Sequence, residues 1–121
     1  MGNYKELIVW QKSVTFVTDI YAVTRKFPKE EIYCLTNQIR RCSISVPSNI
    51  AEGHSRRSQA DYLQFLKIAR GSCAELETQI LISKNLDYLS GAEFEGLNEK
   101  CIEISKMLNA LITKLQSFSN P

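Results

Sequence analysis

From Phe94 onward the apolar residues fall at Leu97, Cys101, Ile104, Leu108, Leu111, Leu115 and Phe118, alternating gaps of three and four without a break. That spacing lines them along one side of an α-helix. A strand would scatter them over both faces, because its side chains alternate at every residue. Ile102, Met107 and Ile112 flank the stripe and make it wider than a two-stranded seam requires. A stripe so long and broad needs several partner helices to cover it. The rest of the chain supplies them, since no β-type alternation survives for more than a few residues.

In the first segment Trp10, Val14, Val17, Tyr21 and Thr24 form one stripe, with Val9, Phe16, Ile20 and Val23 beside it. Arg25 and Lys26 suit a helix C-terminus. Pro28, with its preset dihedral, then reads as the first position of a second helix, and Glu30 and Glu31 favour its positive end. Ile32, Leu35, Ile39, Cys42 and Val46 give that helix its apolar face, while Asn37, Arg40, Arg41 and Ser45 are polar. Pro47 falls inside the pattern, but Val46, Asn49 and Ile50 keep helical spacing, so the helix is expected to continue, kinked, to Glu52. Ser43 or Ser48 hydroxyls would soften the lost backbone bond. Gly53 is expected to close the helix as a left-handed cap. Ser58 with Asp61 opens a third helix, whose stripe is Tyr62, Leu66, Ala69, Cys73, Leu76 and Ile80. Small residues around Gly71 suggest a close helix crossing there. Ser90 with Glu93 is a capping box that starts the fourth helix. Four amphipathic helices with short connections predict an all-α, antiparallel up-down four-helix bundle with a kinked second helix, a single domain over 1–121.

Composition removes several function classes. No apolar run approaches the roughly 20 residues that span a bilayer. The start, with Lys5 and Glu6 inside its short apolar run, does not read as a secretory leader. Glu6 stands where a myristoylation signal wants Ser or Thr. These features predict a cytoplasmic protein without a membrane partner. Cys34, Cys42, Cys73 and Cys101 have no paired metal-ligand spacing and sit on or beside apolar stripes, so they read as reduced core residues rather than metal ligands. The net charge of +2 is unevenly spread. Residues 1–70 hold eleven Lys/Arg against six Asp/Glu, and residues 71–121 hold four against seven. Such a split suits either a polyanion or pairing between copies.

Catalytic constellations are sparse. His54 could pair with Glu52 or Asp61 and Ser55 could serve as nucleophile, but a lone histidine in a capped turn is ordinary polar surface. No phosphate-cradling glycine loop, zinc-protease helix motif or Glu-x-x-His di-iron motif is present, so no catalytic residue, cofactor, metal or small-molecule substrate is expected. Arg40, Arg41, Arg56, Arg57, Lys67 and Arg70 are the better candidates, opposed between residues 40 and 70 only by Glu52 and Asp61. Arginine forks match phosphate oxygens, and several together give salt-dependent binding that tolerates sequence. Tyr33 or Tyr62 could stack on an unpaired base. Two readings stay open: an RNA-binding corner, or arginines paired with acids of the same or a neighbouring chain.

The runs "LIVWQKS", "FPKEEIYCLTNQIRRCSISVPSNIAEGHSRRSQADYLQFLKIARGSCAELETQ" and the helical tail resemble the four-helix-bundle proteins encoded by intervening sequences of bacterial 23S ribosomal RNA genes. The most specific pieces are Trp10-Gln11, Phe27-Pro28, Gln38 to Arg41, the run from Val46 through Pro47, Asn49 and Glu52 to Gly53, and "ARGS" with Glu75. The resemblance implies an up-down bundle that assembles as a homo-oligomer, with a pentamer favoured. It also implies kinship with the accessory variability determinant of diversity-generating retroelements, a basic pentamer that works with an RNA and a reverse transcriptase. No enzymatic activity goes with the family. RNA or a ribonucleoprotein is thus the expected partner, beside further copies of the chain itself.

Overall fold

A computed structural model describes residues 2–119. Its four long helices are α1 (Ile8–Thr24), α2 (Leu35–His54), α3 (Gln59–Asn85) and α4 (Gly91–Ser119), and no strand occurs among the described residues. Each helix packs on its neighbours in sequence, and α1 closes the ring on α4, while no diagonal pair of backbones comes close among the described residues. That is the square up-down-up-down bundle the spacing predicts. The α2–α3 interface is the most extensive and the α1–α4 interface the thinnest.

The core is a column of aliphatic side chains. Ile20 of α1, Ile39 and Ile50 of α2, Leu66, Leu76 and Ile80 of α3 and Leu108 of α4 are all fully buried. Small polar residues complete it: the hydroxyls of Ser13, Thr24, Ser43 and Ser83 bond within their own helices, that of Ser72 bonds Ser45 of α2, and that of Thr36 has no partner among the described residues. Thr24, Ser43 and Ser83 donate to the carbonyls of Ile20, Arg40 and Gln79 at 2.7, 2.8 and 2.8 Å. Burying a hydroxyl costs little once it is bonded in this way.

The structure corrects the phase or the ends of several helices. In α1 the buried set is Val9, Ser13, Phe16, Ile20 and Thr24. The stripe expected to lead, Trp10, Val14, Val17 and Tyr21, is only half-buried, and Val14 is 37% exposed. Thr24 is buried as its place in that stripe predicts, whereas Ser13 took a position that an apolar count would not assign to a core. The second helix does not begin at Pro28, because Lys29–Glu31 form a 3-10 turn and α2 starts at Leu35. Ile32, expected in the core, is therefore exposed, and Thr36 occupies the inner position. The Glu31 carboxylate still serves the helix end, accepting from the Leu35 N–H at 3.4 Å and from the Tyr88 hydroxyl at 2.8 Å.

Pro47 lies inside α2, as its spacing predicts, and is buried. The Ser43 hydroxyl is turned to the Arg40 carbonyl, away from the role expected of it beside the proline. Gly53 is not a left-handed cap: no glycine among the described residues has a positive φ, and α2 runs one residue further to His54. The reason for the glycine is proximity. A Cβ at Gly53 would stand 2.7 Å from the Phe65 Cβ and 3.1 Å from Tyr62 Cδ1, so only a residue without one lets α3 pack there. Gly71, by contrast, is exposed and a Cβ there would meet nothing within 4 Å. Its neighbours Ala69, Ser72 and Cys73 are the buried ones, and the Cys42 and Cys101 thiols of α2 and α4 reach the carbonyls of Ser72 and Cys73 at 3.2 and 3.4 Å.

The third and fourth helices start where their caps predict. The Ser58 hydroxyl accepts from the Asp61 N–H at 3.1 Å. Ser90 and Glu93 complete a reciprocal box, with Glu93 N–H to the Ser90 hydroxyl at 3.1 Å and Ser90 N–H to the Glu93 carboxylate at 2.9 Å. Between them α3 ends in a motif the sequence hides. Asp87 adopts φ 63°, Tyr88 N–H returns to the Ser83 carbonyl and Asp87 N–H to that of Lys84, both at 2.9 Å. This is a Schellman closure with aspartate in the place where glycine is usual.

Candidate nucleic-acid interface

Consecutive residues on an α-helix point about 100° apart. The pair Arg40–Arg41 is divided by that rotation. Arg40 leans toward α1, where its Nε donates to the Thr24 hydroxyl at 2.8 Å and its guanidinium lies 4.6 Å from the centre of the Tyr21 ring. Arg41 turns the other way and lines the groove between α2 and α3. Arg56 pairs with Glu52 at 2.9 Å, one helical turn back, and covers the Phe65 ring at 5.0 Å. Arg70 donates to the Asn109 side chain of α4 at 3.0 Å. Arg57 and Lys67 are exposed and have no partner among the described residues.

The six cations do not converge on one corner. Fifteen residues of chain, nearly all helical, separate Arg41 from Arg56, which is roughly 22 Å along the bundle axis. The reversal after Gly53 carries α3 back past Arg41 but leaves Arg56 and Arg57 at the end of the bundle. Three of the six are engaged within the fold, as Arg40 with α1, Arg56 with Glu52 of α2 and Phe65 of α3, and Arg70 with α4. Arg41, Arg57 and Lys67 remain, all on α2, α3 or the turn between them.

The other residues of that corner are structural. The Asn49 amide donates to the Ser45 carbonyl at 2.8 Å and to its hydroxyl at 2.9 Å. Glu52 holds Arg56, and Gly53 admits α3. His54 stands edge-on to both Tyr62 and Tyr4, with ring centroids 5.6 and 6.5 Å away. Tyr4 in turn meets Trp10 at 5.3 Å, so the histidine belongs to an aromatic cluster. Tyr62, half-buried there, has its phenol pKa raised by desolvation. Tyr33 is 89% exposed, just ahead of α2.

A polar groove between α2 and α3 was not anticipated. Asn37, Gln38, Arg41 and Ser45 form one wall, Glu75 and Gln79 the other, and Cys42 and Ser72 lie at its base, enclosing about 470 Å³. The Ser45 and Ser72 hydroxyls share a hydrogen bond of 2.8 Å across the floor. The Cys42 thiol donates to the Ser72 carbonyl at 3.2 Å and lies 3.6 Å from the Glu75 carboxylate. Burial, with the Glu75 charge adding to it, pushes that thiol up to about 12, so it stays a protonated donor. The Gln79 Oε1 is buried with no hydrogen-bond partner. Arg41 and Glu75 face the same groove, yet no ion pair joins them among the described residues. Positions 38, 41 and 45 against 72, 75 and 79 repeat every three or four residues beside the core stripes, and that polar repeat was the signal available in the sequence.

The α1–α4 seam has a different character. Lys12 pairs with Glu103 at 3.4 Å, Asp19 with Lys100 at 2.7 Å, and Lys26 with Glu93. Lys12 and Asp19 of α1 and Lys26, just past its end, are seven residues apart, so they form one line facing α4. A shallow groove of about 320 Å³ runs beside them. No cluster of histidine, cysteine or acidic residues suited to a metal occurs among the described residues, and none of their helices is long and apolar enough to cross a membrane.

Comparison with known proteins agrees with this architecture. The bundle superposes with a TM-score of 0.82 on a crystal structure of a protein of unknown function of the S23 ribosomal protein family from Bacteroides thetaiotaomicron. The two sequences are 27% identical, and the match covers 88% of this chain and 96% of that one. No curated protein matches the chain. The family model described as 23S rRNA-intervening sequence protein matches residues 5–110. That span takes in all of α1, α2 and α3 and most of α4, and the chain belongs to the 23S rRNA-intervening sequence protein family.

Proposed function

We propose that the protein is a non-catalytic, homo-oligomeric module that binds RNA, or a ribonucleoprotein, through the α2–α3 side of its bundle. The supporting observation is the disposition of charge. Lys12, Lys26 and Lys100 at the α1–α4 seam are matched by acids, whereas Arg41 on α2, Arg57 in the following turn and Lys67 on α3 are exposed without counter-ions among the described residues, as are Lys5, Arg25, Lys29, Lys106 and Lys114 elsewhere. Unmatched cations on a folded surface gain most from a polyanion, whose condensed counter-ions they release. The family's link to ribosomal RNA genes is in keeping with such a ligand.

Self-association rests on a separate observation. Ile8 (59% exposed), Val14 and Ile44 bring apolar area to the outer faces of α1 and α2, beside half-buried Trp10 and Tyr21. Covering such area with a second copy removes it from water. A closed ring, five copies favoured, is the expected form, and light scattering that gives a monomer mass at micromolar concentration refutes it.

The RNA reading is tested with Arg41→Ala, Arg57→Ala and Lys67→Ala combined. Binding to structured ribosomal RNA fragments should weaken, and the log–log dependence on salt should become shallower by about 2–3. Combining Arg40→Ala with Arg70→Ala, whose side chains serve the fold, should leave that slope nearly unchanged. If the triple variant instead breaks the oligomer and leaves RNA affinity intact, the cations serve pairing between subunits.

A further inference from the structure

We infer that the polar groove between α2 and α3 is a base-reading site for an unpaired guanine. This inference deepens the RNA reading above and rests on it for the source of the base. The groove's volume, about 470 Å³, lies within the ~300–1,000 Å³ typical of sites for small ligands. Three features of its lining are left unsatisfied by the fold. The Arg41 guanidinium has no acid partner, the Glu75 carboxylate meets only the Cys42 thiol, and Gln79 Oε1 is a buried acceptor without a donor. A buried acceptor left unbonded is costly, and a ligand N–H met by the Gln79 amide turning into the groove would recover that cost.

The arrangement asks for a ligand that presents adjacent donors to one wall and adjacent acceptors to the other. Guanine does so. Its O6 and N7 accept side by side, the pattern that an arginine fork matches. Its N1–H and N2–H donate side by side toward a carboxylate and an amide oxygen. Adenine would set its N1 acceptor against Glu75, and uracil and cytosine likewise place acceptors beside their donors. Such edges are accessible only in bases that are not paired, which is how proteins read RNA sequence. The floor, tied by the Ser45–Ser72 hydrogen bond, is already formed.

The test uses the full-length, isotopically labelled protein, titrated with guanosine, adenosine or inosine monophosphate and followed by NMR. Guanosine monophosphate should shift Gln38, Arg41, Glu75 and Gln79 and bind about tenfold or more tightly than its adenosine counterpart. Inosine monophosphate, which lacks the N2 amine, should bind more weakly. Glu75→Gln, at an exposed position, should keep the helical circular dichroism and bring the guanine-to-adenine ratio close to one. Equal binding of the two nucleotides, shifts confined to other surfaces, or a preference that survives Glu75→Gln would each overturn the site. Single-stranded oligonucleotides with and without guanine separate this result from the wider reading. RNA that binds without preference for guanine sinks the base site and leaves the RNA reading standing. A nucleotide that binds with guanine preference lost in Glu75→Gln, while no RNA binds, keeps the site and removes the RNA reading.

Discussion

Replacing Gly53 and Gly71 with alanine, one at a time, should shift stability in opposite directions. Both glycines lie inside helices, so each exchange brings the same intrinsic gain, about 0.5–1 kcal/mol in favour of alanine. The surroundings differ. At Gly71 a Cβ would stand in open space, and the intrinsic gain should appear undiminished. At Gly53 the new carbon would lie 2.7 Å from Phe65 Cβ, 3.1 Å from Tyr62 Cδ1 and 3.3 Å from the Tyr62 carbonyl oxygen. Two of those three atoms are fixed by the α3 backbone and cannot be relieved by a rotamer change. The first turns of α3 must move away from α2, and forced overpacking of this kind costs about 1–3 kcal/mol. Taking the upper part of that range, the net loss is about 2 kcal/mol.

With an unfolding entropy of ~2.1 cal/mol/K per residue, 1 kcal/mol corresponds to roughly 4 °C for a chain of this length. Gly53→Ala should therefore lower Tm by about 8 °C, and Gly71→Ala should raise it by about 2–4 °C. The measurement is thermal unfolding by circular dichroism, with denaturant midpoints as a check. Protein concentration is held fixed, because self-association would make Tm depend on it. A Gly53→Ala protein as stable as the parent would show that α3 does not approach α2 as described. A loss of stability in Gly71→Ala would mean that its exposed face is covered by another copy.

Three further outcomes follow from the helix ends. Asp87→Gly should raise stability by up to about 1 kcal/mol in chemical denaturation, because the residue already holds a left-handed φ that glycine adopts without strain. Ser58→Ala should cost about 1 kcal/mol in the same assay by removing the acceptor for the Asp61 N–H. The Glu93 carboxyl titrates below its ordinary 4.5, chiefly through its hydrogen bond from Lys26 and then through Ser90 N–H. A carboxyl depressed in the folded state adds stability above its unfolded pKa and loses it as pH falls through the folded one, so Glu93→Gln should flatten the stability profile from about pH 4.5 downward. An unchanged acid limb in that variant would refute the assignment.

The fold was readable because its signals are local and repeated. Leu97, Cys101, Ile104 and Leu108 are buried as the spacing demands. The stripe then passes to Ile112 rather than Leu111, since a straight helix of 3.6 residues per turn drifts about 20° per heptad from a strict seven-residue repeat. Leu111 and Leu115 become half-buried and Phe118 exposed for the same reason. Ser90 and Glu93 were legible because a capping box pairs two side chains three residues apart. The start of α2 was not, because Pro28 is as much at home before a 3-10 turn as at a first helical position, and only the tertiary partner Tyr88 fixes Glu31 where it caps. Gly53 was misread for a related reason. Glycine before a polar turn suits a left-handed cap, and the close approach that explains it comes from Phe65, twelve residues on and in the next helix.

The arginines expose a more general limit. Sequence displays charge as clusters along a line, but a helix distributes neighbours around its axis, and in a four-helix ring neighbouring faces belong to different seams. Arg40 and Arg41 are adjacent in the chain, yet one stabilises α1 and the other lines the groove toward α3. Counting basic residues between positions 40 and 70 therefore overstated the free charge, because Arg40, Arg56 and Arg70 each have work inside the bundle. The groove shows the opposite error. Asn37, Gln38, Ser72 and Gln79 carry no charge and were not among the binding candidates of the sequence, yet phase places them together with Arg41 and Glu75 around an open volume. In a helical bundle, recognition is better sought in polar residues spaced three and four apart beside a core stripe than in runs of like charge. A run spreads around the helix, whereas a spaced set remains on one side and can present a surface to a ligand.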